Sequence, residues 1–227
     1  MKFITEILDF FLPRFCPSCK VRLLSREKFI CSSCLKKIKK IDETILKFEF
    51  KKKFNDQKFI SGFSSLFLFE KDKELQYLIH SLKYNGKFLI GSYFGKLLAK
   101  KIKNELPFWN INLILPIPLH QLKKAERGYN QSFYISKGLS KEINTPVGSG
   151  IIKRTKYTQS QTKLNFLERQ KNMKEAFKVK NDKKVKGKNI LLIDDVITTG
   201  ATISECGKVL LNSGVNQVYA ASVAITD

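Results

Sequence analysis

The chain has 227 residues, 43% of them hydrophobic, which is enough for one substantial core and a small appended module. Its 42 Lys and Arg against 20 Asp and Glu give a formal charge of +22, which excludes an acidic surface and favours polyanionic partners at low salt. Only six of these cations are arginines, so a lysine-biased genome accounts for the charge as readily as a nucleic-acid-binding face does.

The first stretch, "MKFITEILDFFLPRF", places Ile4, Ile7, Leu8, Phe11 and Leu12 at helical spacing and predicts an amphipathic helix packed on the body of the protein. Glu6 and Asp9 interrupt it and no small-residue cleavage site follows, so it does not read as a signal peptide. It is too short to span a bilayer, and peripheral membrane contact is the sharper alternative to packing. A cytoplasmic location is therefore expected, where clustered cysteines hold metal more often than they form disulfides.

Cys16, Cys19, Cys31 and Cys34 form two Cys-x-x-Cys pairs, and two such pairs complete a tetrahedral zinc site. A redox dithiol and a pair of oxidised hairpins are the competing readings. No open coordination position or acid–base residue accompanies the cysteines, so the metal reads as structural. This divides the chain into a helix and zinc module over 1–40, a basic connector over 41–58 and a main domain over 59–227. The connector, within "KKIKKIDETILKFEFKKKFNDQK", has weak periodicity and reads as a link between module and body with room for one helical turn or a short strand.

"FISGFSSLFLFEK" reads as two strands around a Gly and Ser break, a hairpin. Leu75, Leu78, Ile79 and Leu82 then mark a helix that carries His80 as an ordinary surface or partly buried residue. Further on, "SYFGKLLAKKIKNEL" predicts a helix, "NLILPIPL" a buried strand, "YNQSFYISKGLSKEI" a helix, and "GIIKRT" and "AFKV" short strands. "KNILLIDDV" predicts a central strand, "TISECGKVLLNSG" a helix with Cys206 in its core face, and "VNQVYAASVAI" a last strand. Such alternation implies a mainly parallel sheet flanked by helices, with ligands at the carboxyl ends of its strands.

The most informative end follows "ILLI", where Asp194 and Asp195 precede a "TTGAT" turn into a helix. Backbone N–H groups and the hydroxyls of Thr198, Thr199 and Thr202 would surround a phosphate at the positive end of the helix dipole, with Gly200 letting the backbone approach. Carboxylates beside a phosphate suit vicinal hydroxyls or a divalent cation, so the ligand reads as a sugar phosphate.

"ILLIDDVITTGAT" resembles the phosphoribosyl-pyrophosphate (PRPP) loop of type I phosphoribosyltransferases. The resemblance implies that Asp194 and Asp195 hold the ribose hydroxyls and that Thr198, Thr199, Gly200, Ala201 and Thr202 hold the 5′-phosphate. Some members carry an aspartate base where this chain has Thr198. "CPSC…CSSC", "LKYNGK", "LPIPLHQLKKAERGYNQS" and "RTKYTQSQTKLNFLERQKNMKEAF" occur in an order that resembles the ComF family of competence-associated proteins, over nearly the whole chain. That resemblance implies a type I phosphoribosyltransferase fold with an N-terminal zinc module. It also implies a part in handling single-stranded DNA during natural transformation, beside a helicase-type protein partner.

A working phosphoribosyltransferase in nucleotide salvage or a related pathway is the alternative function. Arg127, Lys123 and Lys83 are the candidate pyrophosphate contacts, Arg127 first because a guanidinium fits two phosphate oxygens. Magnesium would bridge the diphosphate and ribose oxygens. The polar segment from Arg154 to Met173, with Gln161 and Arg169, is expected to be a loop that closes over the site. Phe15, Phe29, Phe48 and Phe50 are candidate stacking residues for DNA bases near the zinc module.

Overall fold

The computed structural model describes residues 13–54, 58–156 and 175–226. The predicted N-terminal amphipathic helix lies outside these residues, as do Gln161 and Arg169. In chain order the described elements are α1 (Ser32–Lys37), α2 (Glu43–Phe54), β1 (Gly62–Leu68), α3 (Glu74–Tyr84), α4 (Leu89–Lys101) and α5 (Leu106–Trp109). They continue with β2 (Leu113–Pro116), α6 (Gln121–Arg127), α7 (Gln131–Ile143), β3 (Ile152–Arg154), β4 (Phe177–Val179), β5 (Asn189–Ile197), α8 (Ala201–Asn212) and β6 (Gln217–Ile225).

Four strands make one sheet in the order β1-β6-β5-β2, with every neighbouring pair parallel. β3 and β4 form a separate antiparallel ribbon. Because side chains alternate across a strand, the unbroken run Ile190–Ile193 fills both faces of the sheet. Leu191 and Ile193 join a cluster with Leu78 and Leu82 of α3, Phe94 and Leu98 of α4, and Ile135 and Leu139 of α7. Ile190 and Leu192 join the other cluster, with Phe54 of α2, Phe177 of β4, and Ile203, Cys206 and Leu210 of α8. Cys16, Leu23, Ile30 and Cys34 belong to the first cluster, so the cysteine segment is packed into the α3 and α4 side of the main core.

The structure departs from the expected elements in three places. "FISGFSSLFLFEK" is one strand: Ser64 and Ser65 are fully buried beside Ala221 and Ser222 of β6, and Ser222 Oγ lies 3.1 Å from Ser65 Oγ. Small residues there mark close packing of neighbouring strands, where a turn was expected. The predicted connector contains α2, a twelve-residue helix whose buried positions are Leu46, Glu49, Lys53 and Phe54. Glu49 and Lys53 are buried together with Lys53 Nζ 2.9 Å from Glu49 Oε2, which lets two charged residues occupy the packed face. The segment after β2, which carries Lys123 and Arg127 and for which the sequence pattern predicted no helix, coils into α6. His120 caps its start and Gly128, at a φ of 75°, ends it.

Candidate functional site

The acidic pair lies within the second half of β5, which runs on to Ile197 rather than ending at Ile193. Asp194 Oδ1 accepts from Ser132 Oγ at 3.1 Å and from the Asp195 N–H at 2.8 Å. Asp195 Oδ1 accepts from the Val196 N–H at 2.7 Å, and its Oδ2 is 3.0 Å from Lys83 Nζ. Burial, followed by the charge of Asp195, pushes the Asp194 carboxyl up to about 7. Lys83 reaches the site from the last turn of α3, and Ser132 from the first turn of α7.

The predicted cations converge here. The Lys123 ammonium is pushed down by burial and then by the charges of Arg154, Arg127 and Lys83. Arg154, on β3, is pushed down by burial, against the opposing influence of Cys206 and Asp194. Four cations from three elements, α3, α6 and β3, therefore lie near one another beside two carboxylates, a charge arrangement suited to a diphosphate. Arg127 is held in place by neighbours absent from the sequence reading. Its Nη1 donates to Gln131 Oε1 at 3.0 Å, its Nη2 donates to Tyr84 Oη at 3.3 Å, and the guanidinium lies 5.2 Å from the Tyr84 ring centre. Its Nε is buried and has no hydrogen-bond partner among the described residues, a donor that an anionic ligand could satisfy.

On the other side, the turn Thr198–Gly200 leads into α8. Gly200 takes a φ of 78°, and a Cβ there would sit 2.9 Å from Phe54 Cε1 and 3.2 Å from Lys53 Cβ. Only glycine combines that backbone with that proximity. The end of α2 is thus the wall behind the turn, a role that sequence reasoning missed. A recess of about 30 Å³ opens within the turn, lined by Asp194, Thr198, Thr199, Ala201 and Thr202 among others.

The four cysteine sulfurs lie within 4.8 Å of one another, and Cys19 Sγ and Cys31 Sγ are 3.6 Å apart. Tetrahedral zinc with sulfur ligands at about 2.3 Å places them about 3.8 Å apart, so the cluster fits that ion. Glu27 ties the second pair in place: its Oε2 accepts from the Leu24 N–H at 3.0 Å and its Oε1 from the Ser32 N–H at 2.6 Å. Ser32 Oγ donates to the same Oε1 at 2.7 Å, and together these bonds hold the Glu27 carboxyl down near 2.

A cleft of about 450 Å³ separates the cysteine segment from the α3–α4 connection. Arg14, Phe15, Lys28 and Phe29 line one side, and Lys87 and Phe88 the other. Phe15 is half exposed in this cleft, whereas Phe29 is partly buried and packs 5.6 Å from the Tyr93 ring. Phe50 packs instead against Phe54 on the opposite face of the sheet, and Phe48 on the same helix is exposed beneath Lys52. No helix among the described residues is long and apolar enough to cross a membrane.

The phosphoribosyl transferase domain family matches residues 129–225. Competence protein F of Haemophilus influenzae is 33% identical over 148 residues, covering 63% of this chain and 65% of that protein. DNA utilization protein YhgH of Escherichia coli O157:H7 is 33% identical over 143 residues, 62% of each chain. Competence protein ComFC of Bacillus subtilis is 33% identical over 103 residues, 45% of this chain and 39% of that one. The chain thus spans a little under two thirds of the length of the first two relatives, and the expected whole-length resemblance narrows to 63% of the chain. Among solved structures, adenine phosphoribosyltransferase from Leishmania tarentolae covers 71% of this chain and 91% of its own, with a TM-score of 0.41 and 14% identity. The parallel sheet flanked by helices, the matched domain and the four-cysteine cluster make this a type I phosphoribosyltransferase-like fold with an N-terminal cysteine module, and the chain is similar to the competence protein F, ComFC and YhgH proteins.

Proposed function

We propose that the chain binds PRPP with magnesium at the end of β5, and single-stranded DNA along the cleft beside the cysteine segment, which zinc would hold together. The observation that carries the first part is the ion pair of Lys83 with Asp195 beside a cation cluster in which Lys123 lies near Lys83, Arg127 and Arg154. The carboxylates would accept from the ribose hydroxyls and Thr198–Thr202 would surround the 5′-phosphate. Arg127 would offer its buried Nε to the pyrophosphate, assisted by Lys123 and by Lys83 once it leaves Asp195. Magnesium, when bound, would screen the diphosphate charge and orient its oxygens. Gln161 and Arg169 belong to the segment proposed to close over this ligand, whereas Arg154, expected in the same loop, is held on β3 opposite Phe177. Cys16, Cys19, Cys31 and Cys34 would be the four zinc ligands, with no position left open for chemistry.

The DNA part is supported by the alternation of cations and rings in the cleft, where Lys28 and Lys87 would meet phosphates while Phe15 and Phe88 stack on bases. The names of the relatives, competence and DNA utilization proteins, agree with such a role. A part in natural transformation beside a helicase-type partner follows as the cellular reading. The deciding experiment is calorimetric titration of PRPP and magnesium into wild type and the Asp194→Asn/Asp195→Asn double variant. Wild type is expected to bind and the variant not to. A folded, zinc-loaded wild type that binds no PRPP would overturn the reading.

A further inference from the structure

The seven residues Lys83–Leu89 touch both candidate sites. At one end, Lys83 Nζ is paired with Asp195 Oδ2 at 3.0 Å, and Tyr84 carries the Arg127 guanidinium on its ring and hydroxyl. At the other end, Gly86, Lys87, Phe88 and Leu89 form one side of the cleft that faces the cysteine segment. The connection is anchored between these ends: the Tyr129 hydroxyl donates to the Leu82 carbonyl, and the Phe88 ring packs 4.7 Å from Tyr134 and 6.1 Å from Tyr129. One short segment therefore supplies residues to two places where anions are proposed to bind.

We infer that Lys83–Leu89 couples these places, so that PRPP with magnesium at the acidic pair weakens the binding of a single-stranded oligonucleotide in the cleft. The inference rests on the reading of the two sites given above. Coupling requires an element with two arrangements that each ligand biases differently. The first arrangement is the ion pair of Lys83 with Asp195. In the second, the ribose hydroxyls take the Asp195 carboxylate, and Lys83 and Arg127 turn to the diphosphate. Arg127 cannot shift without disturbing Tyr84, to which it is bonded, and Tyr84 is three residues from Lys87. The sign follows from charge: the bound diphosphate takes up two cations beside Tyr84 and adds negative charge at one end of the segment whose other end lines the cleft.

The test is a linkage cycle. The affinity of a twelve-nucleotide oligothymidylate with a 5′-hydroxyl end, which presents no terminal phosphate to the Thr turn, is measured by fluorescence anisotropy with and without saturating PRPP and magnesium. The affinity of PRPP is measured calorimetrically with and without the oligonucleotide. Wild type is expected to lose about five-fold or more in each direction, by the same factor, since binding coupling is reciprocal. Tyr84→Leu, with each single-ligand affinity remeasured, is expected to bring that factor close to one. Equal affinities in wild type with both ligands bound, or a tightening, would overturn the coupling and leave both sites standing. An undiminished factor in Tyr84→Leu would remove this segment as its carrier. Complete displacement of the oligonucleotide in step with PRPP occupancy would mean that it occupies the acidic-pair site itself, again against the proposal. Failure of either ligand to bind alone would instead overturn the underlying reading of that site, and the coupling with it.

Discussion

Asp194 and Asp195 are neighbours in sequence with opposite surroundings. Asp195 has an ammonium 3.0 Å away, whereas Asp194 has a serine hydroxyl and a backbone N–H and is pushed up to about 7 by burial and by its neighbour's charge. A folded-state value above the ordinary 3.8 means that folding penalises the charged carboxylate. The penalty is absent below 3.8, grows as pH rises and is complete above about 7. Asp194→Asn keeps an oxygen to accept both hydrogen bonds and removes the charge. Thermal unfolding is expected to show the variant more stable than wild type by about 1–2 kcal/mol at pH 8, with the gain vanishing near pH 4. The same variant should lose PRPP affinity at least about ten-fold, because stability and ligand binding place opposite demands on this carboxylate. Glu27 has the reverse sign. Its carboxyl is held near 2 by the Leu24 and Ser32 donors, so its contribution is full above the unfolded value and is lost as pH falls through about 2. Glu27→Gln turns one acceptor into a donor that faces an N–H, and its melting-temperature deficit should be constant above about pH 5 and shrink only below that.

Close backbone approach sets the packing of the elements around the site. A Cβ on Gly138 of α7 would lie 2.1 Å from the Ser92 carbonyl oxygen, and one on Gly95 of α4 the same distance from the Ile135 carbonyl oxygen. Helix propensity alone would favour alanine at both positions by about 1 kcal/mol. Steric overlap with backbone overrides that preference, so Gly95→Ala and Gly138→Ala should each destabilise by about 1–3 kcal/mol in chemical denaturation. Because α7 also delivers Ser132 to Asp194, the same changes should weaken PRPP binding. Elements with a single clear signal were legible in the sequence: β5 and β6 by continuous apolar runs, α3, α4, α7 and α8 by helical spacing. α2 was not, although Leu46, Glu49, Lys53 and Phe54 follow a helical period, because two of those positions are charged and only their mutual pairing makes burial tolerable. β1 was misread for a related reason, since Ser64 and Ser65 signal a turn locally and close strand packing only once β6 lies alongside. At the site, the acidic pair and glycine turn could be read from local pattern, whereas Tyr84, Gln131 and Ser132 acquire their roles only from contacts across the fold.

Across the whole molecule, a charge of +22 spread over the surface and a cation set arranged for a strand make different predictions. If Arg14, Lys28 and Lys87 each neutralise one phosphate, the logarithm of oligonucleotide affinity should fall against the logarithm of salt with a slope of roughly −2. Lys28→Gln/Lys87→Gln should reduce that slope to roughly −0.7, while an equal change of charge on α6 or α8 surfaces away from the cleft should leave it near its wild-type value. The placement of the cysteines bears on stability at the same scale. Cys16, Leu23, Ile30 and Cys34 share a buried cluster with Leu82, Phe94 and Leu98, so the cysteine segment closes one face of the main core. A metal that organises this segment would act on the stability of the whole chain, because its loss uncovers apolar surface of α3 and α4 as well. Removing zinc with a chelator, or replacing Cys34 with serine, is therefore expected to destabilise by roughly 3–5 kcal/mol and to lower the single melting transition by about 10 °C. Differential scanning calorimetry distinguishes this from a self-contained module: two transitions, with the larger one unmoved by the chelator, would mean that the cysteines fold apart from the sheet they cover.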